Sequence, residues 1–329
     1  MLNHGAAEGT AENTILNRGK GLLNQMKSFT ALLLLGLVFA VMSPNFLSVN
    51  NLVTVVQQSS NIAILAYAET MVIITGGIDL SLGSILGVSG VVVGKMILAG
   101  APVWSAVLGG ILTGGLCGVV NGFVVSKMKL VPFIATLGMQ NIARGVAYVL
   151  TNSLPVSGLS EGLYFIGGGS VGIIPVPVII MLVLAVGFAF LLKKCAFGRR
   201  VYSIGSNREA ARLSGINVGR TEMGVFAIGG LLAGLVGVIL ASRVLSSQQP
   251  NAGVGYESDA IAAAIIGGTS PSGGSGTILG TVIGALTIAV LKNGLNLLQV
   301  NPFWQQIAIG IVIIVAVFID NLRKKNNKK

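Results

Sequence analysis

Long apolar runs alternate with short polar segments along most of the chain. Ten such runs can be distinguished, at about residues 29–43, 52–75, 79–99, 103–126, 131–151, 173–192, 222–245, 258–270, 276–298 and 303–321. A transmembrane α-helix needs roughly 20 apolar residues to cross about 30 Å of hydrocarbon. Because most of the runs reach this length, the pattern predicts an all-α polytopic membrane protein with about ten transmembrane segments.

The run at 258–270 is too short to cross a bilayer as one regular helix. It offers only thirteen residues, and Gly267 and Gly268 interrupt it. Short apolar segments interrupted by glycine are typical of broken helices that line a transport path. The sequence therefore predicts that some of the ten segments are short or broken helices.

The basic residues predict which side of the membrane each polar segment occupies. Of the 21 Lys and Arg residues, seventeen lie in four segments, at 18–27, 127–129, 193–220 and 323–329. Basic residues next to membrane spans are retained on the cytoplasmic side. We therefore expect both termini to be cytoplasmic. Four, two and four runs separate consecutive basic segments, and these even numbers are what such a topology requires.

This topology divides the chain into three predicted parts. Residues 1–28 form a cytoplasmic N-terminal tail, residues 29–321 a transmembrane domain, and residues 322–329 a basic cytoplasmic C-terminal tail. Within the transmembrane domain, 193–221 is the sizeable cytoplasmic loop. The outside segment 152–172 contains no cation, and its sequence fits either a mobile connector or a contact for a binding partner.

The composition excludes an ordinary soluble protein. Charged residues make up 9% of the chain and hydrophobic residues 53%, whereas about a quarter of a typical soluble domain is charged. The net charge of +11 does not indicate nucleic-acid binding, because the cations are spread between membrane-length runs instead of being gathered on one surface. We expect the protein to contact membrane lipid and not to bind nucleic acid.

Three pairs of short sequences indicate an internal repeat. In chain order, residues 75–77 resemble 266–268, residues 84–87 resemble 277–280, and residues 101–104 resemble 301–304. Each pair has the same place relative to the apolar runs. We therefore expect two pseudo-repeated halves of the same orientation, joined by a central pair of spans. Trp104 and Trp304 would both lie at the outer interface, where tryptophan is favoured.

Enzyme motifs in the sequence lack the residues that they need. A G-x-S-x-G match at 158–162 and a rhomboid-like serine match at 87–90 both require a histidine base, and the only histidine, His4, lies in the polar N-terminal tail. The chain has no G-x-x-x-x-G-K-[ST] phosphate loop and no metal ligands at usable spacing. We expect no catalytic residue, no metal site and no cofactor in this chain.

Charges placed in or against the membrane are better candidates for function. Glu69 and Arg144 fall within apolar runs, so we expect them to lie in a transport path or in a buried pair. Asp79 begins a run, where it either caps the following helix or contacts a substrate. Residues 269–272 are expected to open the next helix in the same way. The charges expected at the outer mouth, which fit a solvated rim, are Glu257, Asp259 and Arg243.

The cytoplasmic loop carries the signals of a short, capped surface helix. Ser206 can cap its start, with Glu209 three positions on, and Gly215 stands where a left-handed stop belongs. Such a helix is either a connector or a rigid element that docks to a soluble partner.

Several of these motifs occur together in one known family. Glu209-Ala210-Ala211-x-x-x-Gly215 resembles the EAA-x-x-x-G signature of ATP-binding-cassette (ABC) importer permeases. The stretches at 76–83, 212–218, 255–263, 267–270 and 293–298 are similar to the ribose-type monosaccharide permeases of these importers, in the same order. The resemblance extends from about Ser43 to Asp320. Gly76 is a small departure, since the family commonly has a single small residue there.

The resemblance implies a multi-pass permease subunit of the bacterial inner membrane. It would form the path of a monosaccharide, ribose or a related pentose or hexose. Two such subunits, as a homodimer or a heterodimer, would form the pore. A periplasmic or extracellular sugar-binding protein would deliver the sugar, and cytoplasmic ABC ATPase subunits would bind ATP and Mg²⁺. The residues that would couple to the ATPase are Arg208, Glu209, Ala210, Ala211, Arg212 and Gly215.

The sugar is expected to cross unchanged, along hydroxyl groups and small residues near the broken segments. Because aromatic residues make up only 6% of the chain, we expect the external binding protein to set selectivity. Polar contacts from Gln57, Gln58, Asn61 or Tyr67 are the alternative. The candidate pathway residues are Glu69, Thr75, Gly76, Gly77, Asp79, Ser81, Gly267, Gly268, Thr269 and Ser270.

Two other function classes fit parts of the pattern. A stand-alone, ion-coupled secondary transporter would also show repeats and broken helices. The other class is an intramembrane aspartyl protease, which requires Asp79 and a second intramembrane aspartate, Asp259, to share a proton.

Overall fold

The structure is a computed structural model that describes residues 28–243 and 250–326, together with their side chains except those of Ala316, Ile319, Asp320 and 321–326. The N-terminal tail predicted for 1–28 therefore lies outside the described residues up to Lys27. The predicted C-terminal tail lies outside them from Asn327 onward.

The described chain is built from helices and one short hairpin. The helices are α1 (Ser28–Met42), α2 (Val49–Ile74), α3 (Leu82–Leu98), α4 (Val103–Ser126), α5 (Pro132–Thr151), α6 (Glu161–Gly167), α7 (Val176–Lys194), α8 (Ala196–Ser206), α9 (Arg208–Leu213), α10 (Val218–Arg243), α11 (Tyr256–Ile266), α12 (Ile278–Leu297) and α13 (Pro302–Asn326). The hairpin pairs β1 (Ser170–Val171) with β2 (Ile174–Pro175) in an antiparallel arrangement.

The helices confirm the prediction of an all-α polytopic membrane protein. A helix lies in each of the ten predicted apolar runs. Within the described ranges, the four helices that combine membrane-crossing length with high hydropathy are α4, α7, α10 and α12. The count of about ten spans stays a prediction.

The short run at 258–270 forms a helix that stops early. It gives α11, which ends at Ile266, and a non-helical loop follows until α12 begins at Ile278. The expectation that residues 269–272 open the next helix is wrong. The loop contains Pro271, and Gly273 and Gly274 have positive φ angles of 83° and 76°, a conformation that cannot continue a right-handed helix. Thr277 caps α12 instead.

Helix α2 forms the centre of the fold. Every residue from Ser59 to Ile74 is buried, because α2 is surrounded by α7, α10, α11 and α12. A helix that is hydrophobic nearly all round must be enclosed in this way. The hydroxyl of Tyr67, which is fully buried, donates to the carbonyl of Met181 on α7 at 3.4 Å. Functional side chains on α2 are therefore held in a rigid frame.

The outer helices expose large apolar side chains. Examples are Leu37 on α1, Val149 on α5, Val186 on α7 and Ile314 on α13. A soluble monomer rarely exposes so many apolar residues in continuous faces. These faces fit contact with lipid chains.

The glycine-lined faces of α4 and α10 pack closely against each other. A Cβ on Gly114 would overlap the carbonyl oxygen of Gly230 and lie 2.7 Å from the Cα of Gly234. A Cβ on Gly118 would overlap the carbonyl oxygen of Phe226. The regular spacing of these glycines lets the two backbones touch, and here it serves packing within one subunit.

Two of the four basic segments meet at one end of the helices. Ser126, which precedes the segment 127–129, lies beside Gly219 near the end of the segment 193–220, since a Cβ on Gly219 would be 3.5 Å from the Cβ of Ser126. This is the arrangement that the charge pattern predicts for two internal loops. The cytoplasmic location of the termini stays a prediction.

The segment 152–172 is packed against the opposite end of the fold. Val156, Leu159 and Leu163 are buried in a small apolar cluster with Val238 of α10. A Cβ on Gly167 would overlap the carbonyl oxygen of Ile239. The interpretation of this segment as a mobile connector is therefore wrong for residues 156–167.

Candidate functional site

Two carboxylates are buried next to each other beside the end of the central helix. Glu69 of α2 is 0% exposed and Asp79, in the turn between α2 and α3, is 1% exposed. The backbone N–H of Asp79 donates to Oε1 of Glu69 at 3.2 Å. The remaining oxygens, Glu69 Oε2 and Asp79 Oδ2, have no hydrogen-bond partner among the described residues. An unpaired buried acceptor costs about 1–3 kcal/mol, so both oxygens have capacity for a further partner.

Asp79 stabilises the turn that leads into α3. Its Oδ1 accepts hydrogen bonds from the backbone N–H of Ser81 at 2.8 Å and from the Ser81 hydroxyl at 2.5 Å. The Ser81 hydroxyl in turn accepts from Nδ2 of Asn121 on α4 at 2.8 Å. Since α3 begins at Leu82 with Ser81 as its N-cap residue, the prediction that Asp79 caps the helix is wrong. Asp79 does accept a backbone amide from the turn, as expected.

The two glycine-containing turns share one backbone feature. Helix α2 ends at Ile74 and α11 ends at Ile266, and in each turn the second residue beyond the helix is a glycine with positive φ: Gly76 at 87° and Gly268 at 92°. Only glycine adopts this conformation without strain, and it ends a helix. The internal repeat aligns Gly76 with Gly267. In the structure the residue that corresponds to Gly76 is Gly268, one position further along.

These two turns lie next to each other in space. A Cβ on Gly276 would be 2.8 Å from Oγ1 of Thr269 and 3.1 Å from Cδ1 of Ile74. Nearby, the hydroxyls of Thr70 on α2 and Thr281 on α12 form a buried hydrogen bond of 2.7 Å. The structure therefore brings the candidate residues of the two predicted halves into one region.

Helix α8 contacts both turns, a role that the sequence reasoning missed. The N–H of Gly274 donates to the carbonyl of Ile74 at 2.9 Å, and Gly205 packs so closely there that a Cβ would overlap this carbonyl oxygen. The Tyr202 hydroxyl donates to the carbonyl of Gly276 at 2.8 Å. The available signal was the spacing of Phe197, Val201 and Ile204, which gives the segment an apolar helical face.

Helix α9 is the predicted capped surface helix, but its capping residue is not the predicted one. Oδ1 of Asn207, and not the Ser206 side chain, accepts from the N–H of Ala210 at 2.9 Å. Gly215 has a φ of 82°, which confirms the left-handed stop. Glu209 and Arg212 form an exposed ion pair, and the hydrogen bond from the Arg212 guanidinium lowers the pKa of the Glu209 carboxyl.

The candidate coupling residues divide between two faces of α9. Arg208 forms an ion pair with Glu222 of α10, whose side chain is 4% exposed, and Ala211 is buried against the subunit. Glu209, Ala210 and Arg212 are exposed. One face therefore fixes α9 to its own subunit, and the other is available to a partner.

Arg144 and Glu69 do not pair with each other. The Arg144 guanidinium donates to the carbonyls of Pro250 at 3.1 Å and Ala252 at 2.9 Å. It thereby joins α5 to the segment before α11, a structural role for an intramembrane cation.

Of the three residues expected at a solvated rim, Arg243 is exposed and Glu257 is partly buried, whereas Asp259 is buried, so the expectation is wrong for Asp259. Asp259 is 2% exposed and forms an ion pair with Lys292 of α12. Asp79 and Asp259 thus have different partners, so they do not form the shared-proton pair of an aspartyl protease. The sequence reasoning missed Lys292, although a lysine inside an apolar run is itself a signal of function.

Comparisons with known proteins identify relatives along nearly the whole chain. Residues 51–317 match the family described as branched-chain amino acid transport system / permease component. The chain is 43% identical over 309 residues to the ribose import permease protein RbsC of Escherichia coli strain K12, covering 93% of this chain and 96% of that protein. It is 44% identical over 308 residues to the RbsC of Bacillus subtilis strain 168, covering 93% and 95%.

A third relative is named for a hexose. The D-allose transport system permease protein AlsC of Escherichia coli strain K12 is 42% identical over 300 residues, covering 91% of this chain and 92% of that protein. No solved structure matches the chain significantly.

Proposed function

The chain belongs to the branched-chain amino acid transport system / permease component family, and from this premise we propose that it is the permease subunit of an ATP-driven monosaccharide importer. It is a multi-pass protein of the bacterial inner membrane. The observation that carries the proposal is the identity of 42–44% to ribose and allose permeases over more than 90% of the chain.

The proposed substrate is a sugar and not a branched-chain amino acid, which the family description names. The support is that these relatives, which align over almost their full length, are named for ribose and allose. The sugar would cross unchanged, so the subunit would be non-catalytic. ATP and Mg²⁺ would bind to the partner ATPase subunits.

The proposed complex contains two copies of this subunit, two cytoplasmic ATPase subunits and an external sugar-binding protein. The exposed face of α9, with Glu209, Ala210 and Arg212, would dock into the ATPase. The basic end of the fold would accordingly be cytoplasmic, as would both termini. The repeat of the left-handed glycine turns supports the two proposed halves.

The contacts of α8 and α9 suggest how ATP-driven movement reaches the transport path. A displacement of α9 would pass to α10 through the Arg208–Glu222 ion pair and to α8 through the one-residue connection at Asn207. Helix α8 touches the carbonyl of Ile74 and the loop before α12. Movement would therefore reach both glycine turns, beside which Glu69, Asp79 and Thr269 would line the path.

Replacing Glu209 with lysine tests the docking role. The variant breaks an exposed ion pair, which contributes little to folding, but places like charges together on the proposed docking face, where such a contact is costly. We expect normal insertion and continued ATP hydrolysis, with sugar uptake reduced about tenfold or more. Both rates are measured in proteoliposomes that contain the assembled transporter.

The matched control is Lys193→Glu, a charge reversal at an exposed residue of the same basic end but outside α9. It should leave the number of ATP molecules hydrolysed per sugar unchanged. Normal uptake by the Glu209→Lys variant would contradict the docking role of α9.

A further inference from the structure

A polar cavity lies between five helices, at the end of α10 that is remote from α9. Its volume is about 370 Å³, within the range of about 300–1,000 Å³ that is typical of small-molecule sites. The 26 residues of α10 place it roughly 39 Å from the start of that helix. On the proposed topology, this cavity is on the external side, where a binding protein releases its cargo.

A partly buried ion pair supplies charge on one wall of the cavity. Asp259 of α11 and Lys292 of α12 form this pair, and the Lys292 ammonium lies 6.0 Å from the centre of the Tyr256 ring. Asp259 supplies a strong acceptor and Lys292 a strong donor, and Arg243 of α10 adds a second cationic donor to the lining. Hydroxyl groups both donate and accept, so a ligand with many hydroxyls can use the acceptor and both donors.

Side-chain amides supply the other polar groups. Gln58 of α2, Asn296 of α12 and Gln305 of α13 line the cavity, and Nε2 of Gln305 donates to Oδ1 of Asn296 at 2.6 Å. This bond leaves the NH₂ group of Asn296 free to donate. The side-chain amide of Gln58 makes no hydrogen bond to another of the described residues, although an amide carries two donors and an acceptor.

We infer that this cavity is a sugar-binding site within the permease itself. A monosaccharide presents hydroxyls that both donate and accept, together with an apolar ring face. Asp259, Lys292, Gln58 and Asn296 would bond the hydroxyls, and the Tyr256 ring would pack against the ring face. This inference rests on the proposed function, and it makes the permease a second determinant of selectivity after the external binding protein.

The position of the lining residues connects the site to transport. Gln58 and Ile62 lie on α2, while Lys292 and Asn296 lie one turn apart on α12. The same two helices are joined deeper in the fold by the hydrogen bond between Thr70 and Thr281. Tilting α12 against α2 about this contact would open or close the cavity, and so release the sugar toward the glycine turns.

The test compares sugars in proteoliposomes that contain the complete transporter, ATP and one preparation of the binding protein. Gln58→Leu and Asn296→Leu remove an amide with little change in volume, and uptake of D-ribose, D-allose and D-xylose is measured over a range of concentrations. We expect kcat/KM to fall about fivefold to tenfold for the preferred sugar. We also expect the ratio of kcat/KM between two sugars to change, because each sugar places its hydroxyls differently.

The matched control is Gln140→Leu on α5, a partly buried glutamine that does not line the cavity. It should leave both the rates and the ratios unchanged. The inference would be overturned if kcat/KM fell equally for all sugars in both cavity variants, or did not fall at all. In that case, sugar uptake by the wild type would still uphold the proposed function. If the wild-type transporter takes up none of the sugars, the proposed function fails and the inference fails with it.

Discussion

Replacing Gly114 with valine is expected to prevent the subunit from reaching its folded state. A Cβ at this position would overlap the carbonyl oxygen of Gly230 and lie 2.7 Å from the Cα and N of Gly234. These are backbone atoms inside helices, so they cannot rotate away as a side chain can. Overpacking typically costs about 1–3 kcal/mol, and here α4 and α10 would also lose the close approach that holds helices together in a membrane.

The measurement is the yield of monodisperse protein after detergent extraction, followed by its midpoint of thermal unfolding. We expect the Gly114→Val yield to fall by about tenfold, in line with a loss of 1–3 kcal/mol. Gly187→Val is the matched control, since it makes the same change within α7 where nothing lies within 4 Å of the added Cβ. Wild-type yield and stability of the Gly114→Val variant would show that the two helices are not in contact.

Replacing Gly205 with alanine is expected to reduce sugar uptake strongly in a subunit that still inserts. The added Cβ would overlap the carbonyl oxygen of Ile74 and lie 2.5 Å from the N of Gly274. It would therefore break the hydrogen bond of 2.9 Å between these residues. Helix α8 would be displaced from both glycine turns, and movement of α9 would no longer reach them.

Uptake and ATP hydrolysis in the reconstituted transporter distinguish this effect from simple misfolding. We expect uptake to fall about tenfold or more, as a local clash of 1–3 kcal/mol allows, while hydrolysis persists. Gly219→Ala is the control, because its Cβ would meet Ser126 at an ordinary contact distance of 3.5 Å. Wild-type uptake by Gly205→Ala would exclude α8 from the coupling route.

Local patterns predicted the helices and the contacts that depend on residue size. The apolar runs located a helix in all ten places, because membrane helices need continuous apolar sequence. Glycines at every fourth position, at 110–122 on α4 and at 230 and 234 on α10, are the sequence signal of the close contact between these two helices. Gly215 predicted a helix end because its position requires positive φ.

Contacts between distant residues could not be read from the sequence in the same way. Asp259 was expected at a solvated rim because the sequence places it at the outer mouth, near Arg243 in depth. The Asp259–Lys292 pair joins residues that are 33 positions apart, and no local rule relates the depth of α11 to that of α12. The role of Gly205 depends on three segments that meet only in the folded chain: α8, the end of α2 and the loop before α12.

The capping residues of two helices were predicted wrongly, because local rules favour neighbouring residues almost equally. Ser206 and Asn207 are both good capping residues, and the extended backbone of Asn207, with φ of −159°, selects the second. Asp79 has the residue type of a cap but precedes the helix by three positions. Its carboxyl bonds to Ser81 within the turn instead.

The most direct test of the central claim is sugar uptake by the purified subunit in proteoliposomes, with and without its partners. We predict that D-ribose or a related monosaccharide accumulates only when the ATPase subunits, the binding protein and ATP with Mg²⁺ are all present. Uptake by the subunit alone, driven by an ion gradient and independent of ATP, would contradict this account and identify a secondary transporter.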